Sequence, residues 1–130
     1  MRDLVEAAKA ARLRAHAPYS KFRVGAAMRD EHGRVHAGCN IENAAYPQGW
    51  CAEPTAVSAL IMAGGTAITE VAVLGNGDTL CTPCGGCRQK IREFAAGSVM
   101  IHVCDDDGTV KRSFTLDELL PFSFGPESLK

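Results

Sequence analysis

Residues 51–74, CAEPTAVSALIMAGGTAITEVAVL, and residues 84–103, CGGCRQKIREFAAGSVMIHV, decide the fold. Each stretch opens on a cysteine, continues as a helix and closes as an apolar strand. In the first, Val57, Leu60 and Ile61 share one helical face over Cys51–Ala63, and Gly64-Gly65 stops the helix. Val71-Ala72-Val73-Leu74 then runs without a polar residue to Gly75, the pattern of a strand covered on both faces. In the second, the spacing predicts a helix over Cys84–Ala96 with Ile91, Phe94 and Ala95 turned inward, followed by a buried strand over Val99–Val103. A helix that leads into a buried strand, twice over, implies crossover connections. The expected architecture is therefore a three-layer α/β/α sandwich around a mixed five-stranded sheet.

Working outward, Leu4, Ala7, Ala8, Ala11 and Ala15 recur at helical spacing, which predicts a first helix over Arg2–Ala15 ended by Pro18-Tyr19-Ser20. Phe22, Val24, Ala26 and Met28 alternate with their neighbours as a strand does. Asp30-Glu31-His32-Gly33 makes a turn, and Arg34–Ile41 returns as the second strand of a hairpin. Asp105-Asp106-Asp107-Gly108 lacks the spacing and terminal Glu of a calcium loop and reads as a polar turn. A short fifth strand and a helical turn over Leu116–Leu120 close the chain. With 130 residues and no linker or repeat, residues 1–130 are expected to form one domain.

The 14 basic and 15 acidic side chains nearly cancel, and no Lys/Arg cluster stands out, so a nucleic-acid polymer is not the expected partner. The longest nearly unbroken apolar stretch, Ala56–Ala63, is too short to cross a bilayer, so no membrane is expected either. The first residues lack the apolar core of a secretory signal, and Asp3 and Glu6 argue against a transit peptide, which points to the cytoplasm. There, six cysteines read as thiols or metal ligands rather than disulfides.

Cys51 and the pair Cys84 and Cys87 stand where helices are predicted to begin. A Cys-x-x-Cys at a helix start puts two sulfurs on one turn, close enough to share one Zn2+. The unpaired N–H groups and positive dipole end there favour thiolates. Cys51 supplies a third sulfur. Three protein ligands leave the fourth position open, which distinguishes a catalytic zinc from a structural one. Glu53, two residues after a ligand, is placed to move protons without binding the metal. A ligand two residues before a Glu, with a distant Pro-Cys-x-x-Cys, is the arrangement of zinc deaminases.

Five ordered segments carry a resemblance over nearly the whole chain: Ala17–Ala26, Gly38–Tyr46, Cys51-Ala52-Glu53, Pro83–Gln89 and Glu118–Pro121. The chain resembles the small homotetrameric cytidine deaminases with three cysteine ligands. The resemblance implies a cytidine deaminase-like fold and hydrolytic deamination of cytidine or 2′-deoxycytidine in pyrimidine salvage. By it, Cys51, Cys84 and Cys87 hold zinc and Glu53 shuttles protons. Asn40 and Glu42 would grip the ribose 3′-hydroxyl. Phe22 would lie beside sugar and base, and the backbone of Ala52 and Pro83 would meet the pyrimidine. Phe124 would reach in from a neighbouring subunit of a homotetramer, with Tyr46 near the subunit contacts.

One departure concerns charge. Three-cysteine members usually carry Arg directly after the catalytic Glu, where this chain has Pro54. Three thiolates on a divalent ion leave a net negative centre, a poorer acidifier of water. Helix ends and Arg88 or another basic group are left to compensate. The departure keeps open a relative that acts on a modified cytosine or a blasticidin-type antibiotic. A structural zinc module would instead require a fourth ligand. Trp50 either lines the pocket or packs at an interface, with packing favoured. Cys81, Cys84 and Cys87 could suggest an iron–sulfur cluster, but plain buried thiols are favoured for Cys81, Cys39 and Cys104. His16, His32, His36 and His102 read as surface or satisfied residues, and Arg88 as solvent-facing or a partner for Glu93.

Overall fold

The computed structural model describes residues 1–77 and 79–129. Its helices are α1 (Arg2–Arg12), α2 (Ala52–Met62), α3 (Gly85–Arg92) and the one-turn α4 (Leu116–Leu119). Its strands are β1 (Gly25–Asp30), β2 (Val35–Cys39), β3 (Ile68–Leu74), β4 (Ala95–Cys104) and β5 (Val110–Thr115). They form one five-stranded sheet in the order β2-β1-β3-β4-β5. The β3–β4 pair is parallel and the other pairs are antiparallel, so the sheet is mixed as expected.

The topology brings the cysteines together. β2 and β3 both run antiparallel to β1, so they point the same way and end at the same edge of the sheet. The connection through α2 passes over β1 to β3, and the one through α3 carries β3 to β4. Both step in one direction along the sheet, so right-handed crossovers put both helices on the same face. A loop leads from the end of β2 to α2 and another from the end of β3 to α3, and the N-terminal cysteines of the two helices meet.

The faces of the sheet separate residue by residue. Ala26, Met28, Val71, Val73 and Ile101 pack with Ala52, Ala56, Leu60 and Ile91 beneath α2 and α3. Ala27, Ala72, Leu74 and Cys104 pack with Leu4, Val5 and Ala8 of α1 on the other face. Burial on both faces is why Ala26-Ala27-Met28 of β1 and Val71–Leu74 of β3 are unbroken apolar runs. Gly38 lets α2 settle onto β2: a Cβ there would lie 2.5 Å from the Ala56 nitrogen and 2.8 Å from the Ala52 oxygen. Gly38→Ala is therefore expected to lower Tm by about 10 °C, since relief requires moving helix backbone rather than a side-chain tip. Thermal unfolding that leaves Tm unchanged would show that α2 does not rest on this glycine.

Three boundaries depart from the sequence reading. The first helix stops at Arg12, before Ala15. The predicted alternation from Phe22 becomes a paired strand only at Gly25. The third helix ends at Arg92, because Ala95, expected on its inward face, already pairs with Ile68 and opens β4. The register shift between Ile68 and Glu70 lengthens that strand toward its start. The last turn is held by a capping box between Thr115 and Glu118. Among the described residues no helix is long and apolar enough to cross a membrane.

Candidate active site

Cys51 is the N-cap of α2 and Cys84 the N-cap of α3, both in extended backbone, and neither helix start is capped by a side-chain hydrogen bond. The first-turn N–H groups of both helices are thus left without side-chain partners at the end where the sulfurs gather. Cys87 lies one turn into α3 and is buried. The three Sγ atoms lie within 4.8 Å of one another, and Cys84 and Cys87 are 3.4 Å apart. Tetrahedral zinc with bonds of about 2.3 Å holds its sulfurs about 3.8 Å apart, so the triad fits that ion. Among the described residues no fourth His, Cys, Asp or Glu joins the cluster. Cys51, not Cys81, completes the set with Cys84 and Cys87, as expected, and the iron–sulfur alternative finds no support among the described residues.

The sulfurs share protons unequally. Cys51 is drawn down to about 6, chiefly by hydrogen bonding with Cys87, against burial and with help from Cys84 and the Lys90 charge. Cys87 is pushed far up, first by that same bond and then by burial. The metal-free site therefore favours a thiolate at Cys51 solvated by its neighbours.

Glu53 occupies the first turn of α2, and only 4% of it is exposed. Its carboxyl is pushed up to about 7, mainly by burial, with the Cys51 charge adding to the rise; hydrogen bonds from its own backbone and Cys87 act the other way. The carboxylate is close enough to Cys87 to bond to it without being a ligand.

A cavity of about 170 Å³ gathers Cys51, Cys84, Cys87, Glu53, Ala52 and Asn40, with Val24, Cys81 and Thr82 completing the wall. Asn40 braces the loop before β1: its Oδ1 accepts from the Val24 N–H at 2.9 Å and its Nδ2 donates to the Phe22 carbonyl at 2.8 Å. Glu42 lines a second cavity, of about 350 Å³, with Tyr19, Ser20, Asn43, Tyr46 and Gly49. It accepts from the backbone N–H groups of Tyr19 and Ser20 at 3.0 and 3.1 Å, and from the Ser20 hydroxyl. The Ser20 bond is the main reason its carboxyl lies below the usual range. Phe22 is 38% exposed beside Gly75, and Pro83 is buried. Phe124 is 59% exposed, lines neither cavity, and has its carbonyl held by Gln89 Nε2 at 2.8 Å.

Several positions behave otherwise than the sequence suggested. Arg88 neither faces solvent freely nor meets Glu93. It donates to the carbonyls of Pro83 at 2.6 Å and Leu119 at 2.7 Å and to the Thr82 hydroxyl at 3.1 Å, clamping the loop that precedes α3. No local pattern signals that clamp, because two of its acceptors are main-chain. Of the thiols expected to be buried, Cys104 is buried, whereas Cys39 and Cys81 are half-buried. Burial, followed by the Glu53 charge, pushes Cys81 up to about 11. His36 meets Asp30 at 2.8 Å, and His102 meets Glu70 and Ser113, each at 2.7 Å; both are satisfied, as the sequence suggested.

Two crossover helices that set three cysteines and a buried carboxylate at one sheet edge define an α/β domain of the zinc-deaminase class. Residues 1–103 match the family described as the cytidine and deoxycytidylate deaminase zinc-binding region. The cytidine deaminase of Sporosarcina psychrophila is 40% identical over 126 residues, which cover 97% of this chain and 92% of that protein. That of Mycobacterium tuberculosis is 39% identical over 115 residues, covering 88% and 82%. The crystal structure of cytidine deaminase from Burkholderia pseudomallei superposes with a TM-score of 0.86 at 41% identity, covering 94% of this chain and 97% of that one. The chain belongs to the cytidine deaminase family.

Proposed function

We propose that this chain is a single-domain, zinc-dependent hydrolase that converts cytidine or 2′-deoxycytidine to the uracil nucleoside and ammonia. The observation that carries the reading is a buried carboxyl, that of Glu53, in one cavity with three clustered cysteines. Cys51, Cys84 and Cys87 would hold the zinc, which would supply the Lewis acidity that makes a water in the cavity easier to deprotonate. Glu53 then does the proton work. Its carboxyl, poised near neutrality, takes one proton from the water at one Oε and gives it to N3 of the ring as the water oxygen bonds to C4; the remaining proton on that oxygen then passes through Glu53 to the departing amine. The bond to the C4 amino nitrogen breaks, a bond from C4 to the water oxygen remains, and the products are the uracil ring and ammonia.

The other residues bind and orient. Asn40 and Glu42 are assigned to the ribose 3′-hydroxyl. Both side chains also brace the segment that carries Tyr19 to Val24, so substrate binding and loop order are coupled there. Phe22 flanks sugar and base, the backbone of Ala52 and Pro83 meets the pyrimidine, and Arg88 keeps the Pro83 wall in place. Phe124 serves a neighbouring subunit of a homotetramer, a role its exposure supports. The assignment extends to a cytoplasmic role in pyrimidine salvage, without a nucleic-acid polymer as substrate.

Relatives named cytidine deaminase favour this reading over a blasticidin-type substrate. The lack of a fourth ligand among the described residues weighs against a structural zinc module. The test is to mix zinc-loaded protein with cytidine, deoxycytidine, free cytosine and a modified cytidine. Loss of the cytosine absorbance band together with ammonia release is expected for the first two. Zinc-loaded protein inert toward both nucleosides would overturn the proposal.

A further inference from the structure

A divalent ion bound by three thiolates carries one excess negative charge, and its strength as a Lewis acid depends on nearby positive charge. Pro54, in the first turn of α2 and buried, provides none. Arg88 spends its guanidinium on the neutral acceptors of Pro83, Thr82 and Leu119. A further groove, of about 400 Å³, contains Trp50, Pro54, Gln89, Lys90 and Glu93. There the Lys90 Nζ sits 5.3 Å from the centroid of the Trp50 ring, within cation–π range. The same Nζ is 3.8 Å from where a Cβ on Gly86 would stand.

Those two neighbours fix the place of the charge. Trp50 directly precedes Cys51, and Gly86 lies between Cys84 and Cys87. The ammonium is thus held between the two chain segments that carry all three sulfurs. Among the described residues, Lys90 forms no ion pair that would neutralise it. The acidic group on the same groove is Glu93.

We propose that Lys90, seated on the face of Trp50, is the counter-charge of the tris-thiolate centre and sets how tightly zinc is held. Lys90 is a positioning residue: it acts through the sulfurs and touches neither water nor substrate. Because Lys90 is exposed, the effect is modest and salt-dependent. The inference rests on the zinc reading given above, and its test separates the two.

Zinc affinity is measured at low ionic strength by competition with a chromophoric chelator for the unmodified protein, Lys90→Met, Lys90→Arg and Trp50→Leu. Lys90→Met is expected to bind zinc about three- to tenfold more weakly, Lys90→Arg within about twofold of the unmodified protein, and Trp50→Leu in between. The differences should shrink toward unity near 1 M salt, where the Debye length is about 3 Å. Lys90→Met should leave Tm of the zinc-free protein unchanged, which a merely structural lysine would not. Equal zinc affinity of Lys90→Met and the unmodified protein at low salt would overturn the proposal, as would a loss in Lys90→Arg as large as in Lys90→Met. Failure of the unmodified protein to bind zinc at all would instead defeat the reading of the site, and this proposal with it.

Discussion

Replacing Glu53 with glutamine is expected to leave zinc binding intact and to lower kcat for cytidine by about three orders of magnitude. Glutamine keeps the volume and hydrogen-bonding reach of the side chain but cannot accept or return a proton. The variant separates two roles a carboxylate has in the first turn of α2. If Glu53 were present only to complement the helix dipole, its loss would cost a fraction of a kcal/mol and no chemistry.

The same substitution makes an opposite prediction for stability. The folded protein holds the Glu53 carboxyl at about 7, above its ordinary 4.5, because burial disfavours the charged form. An acid whose folded value is raised is neutral in both states below about pH 4.5. It weighs against folding increasingly between there and pH 7, and fully above. Glu53→Gln should thus stabilise the zinc-free protein at pH 8 by on the order of 3 kcal/mol and scarcely at pH 4. Urea titrations of metal-free protein at the two pH values measure this. A variant less stable at pH 8, or one that retains ordinary turnover, would remove Glu53 from the proton-transfer role.

That tension between stability and chemistry was partly legible in the sequence, and the reason is spacing. Cys84 and Cys87 need only one helical turn to converge, and Glu53 needs only the start of the turn after Cys51, so local pattern places them. The meeting of Cys51 with the other two is not local. It follows from the parallel directions of β2 and β3 and the shared hand of the two crossovers, and the helix-then-strand pattern was enough to imply those. Contacts made through main-chain groups or across loops left no trace in the pattern. Arg88 reaching the Pro83 and Leu119 carbonyls and Lys90 lying over Trp50 both depend on how α3 is rotated. The end of α3 was misjudged for a related reason: Ala95 and Ala96 suit a helix, but pairing with Ile68 claims Ala95 for the sheet. Asn40 and Glu42 show a finer limit. Two residues apart on one extended segment suggests one shared face. However, Ile41 bridges to both His16 and Trp50, and the chain leaves the sheet there, so the two side chains line different cavities.

Removing one sulfur should be as damaging as removing the carboxyl, but by another route. Cys87→Ala is expected to lose stoichiometric zinc, to lose turnover entirely, and to lose the rise in Tm that zinc gives the unmodified protein. Two thiolates cannot hold the ion against competition at the affinity of three, and among the described residues no other metal-binding side chain stands ready to substitute. Because zinc binds the folded site and not the dispersed cysteines of the unfolded chain, its contribution follows ligand linkage: about 4 kcal/mol when free zinc exceeds Kd a thousandfold. For a domain of this size that is a Tm shift on the order of 10 °C or more. Cys87 is the most informative of the three ligands to change because it is buried inside α3, whereas Cys51 and Cys84 are exposed. In the absence of metal, Cys87→Ala also removes the partner that draws Cys51 down, so the Cys51 thiol should become less reactive toward alkylating reagents near neutral pH. Zinc retention and zinc-dependent Tm are read together by metal analysis and thermal unfolding with and without chelator. If Cys87→Ala still carries one zinc per chain and melts higher with it, the ion is bound elsewhere and the three-sulfur centre is wrong.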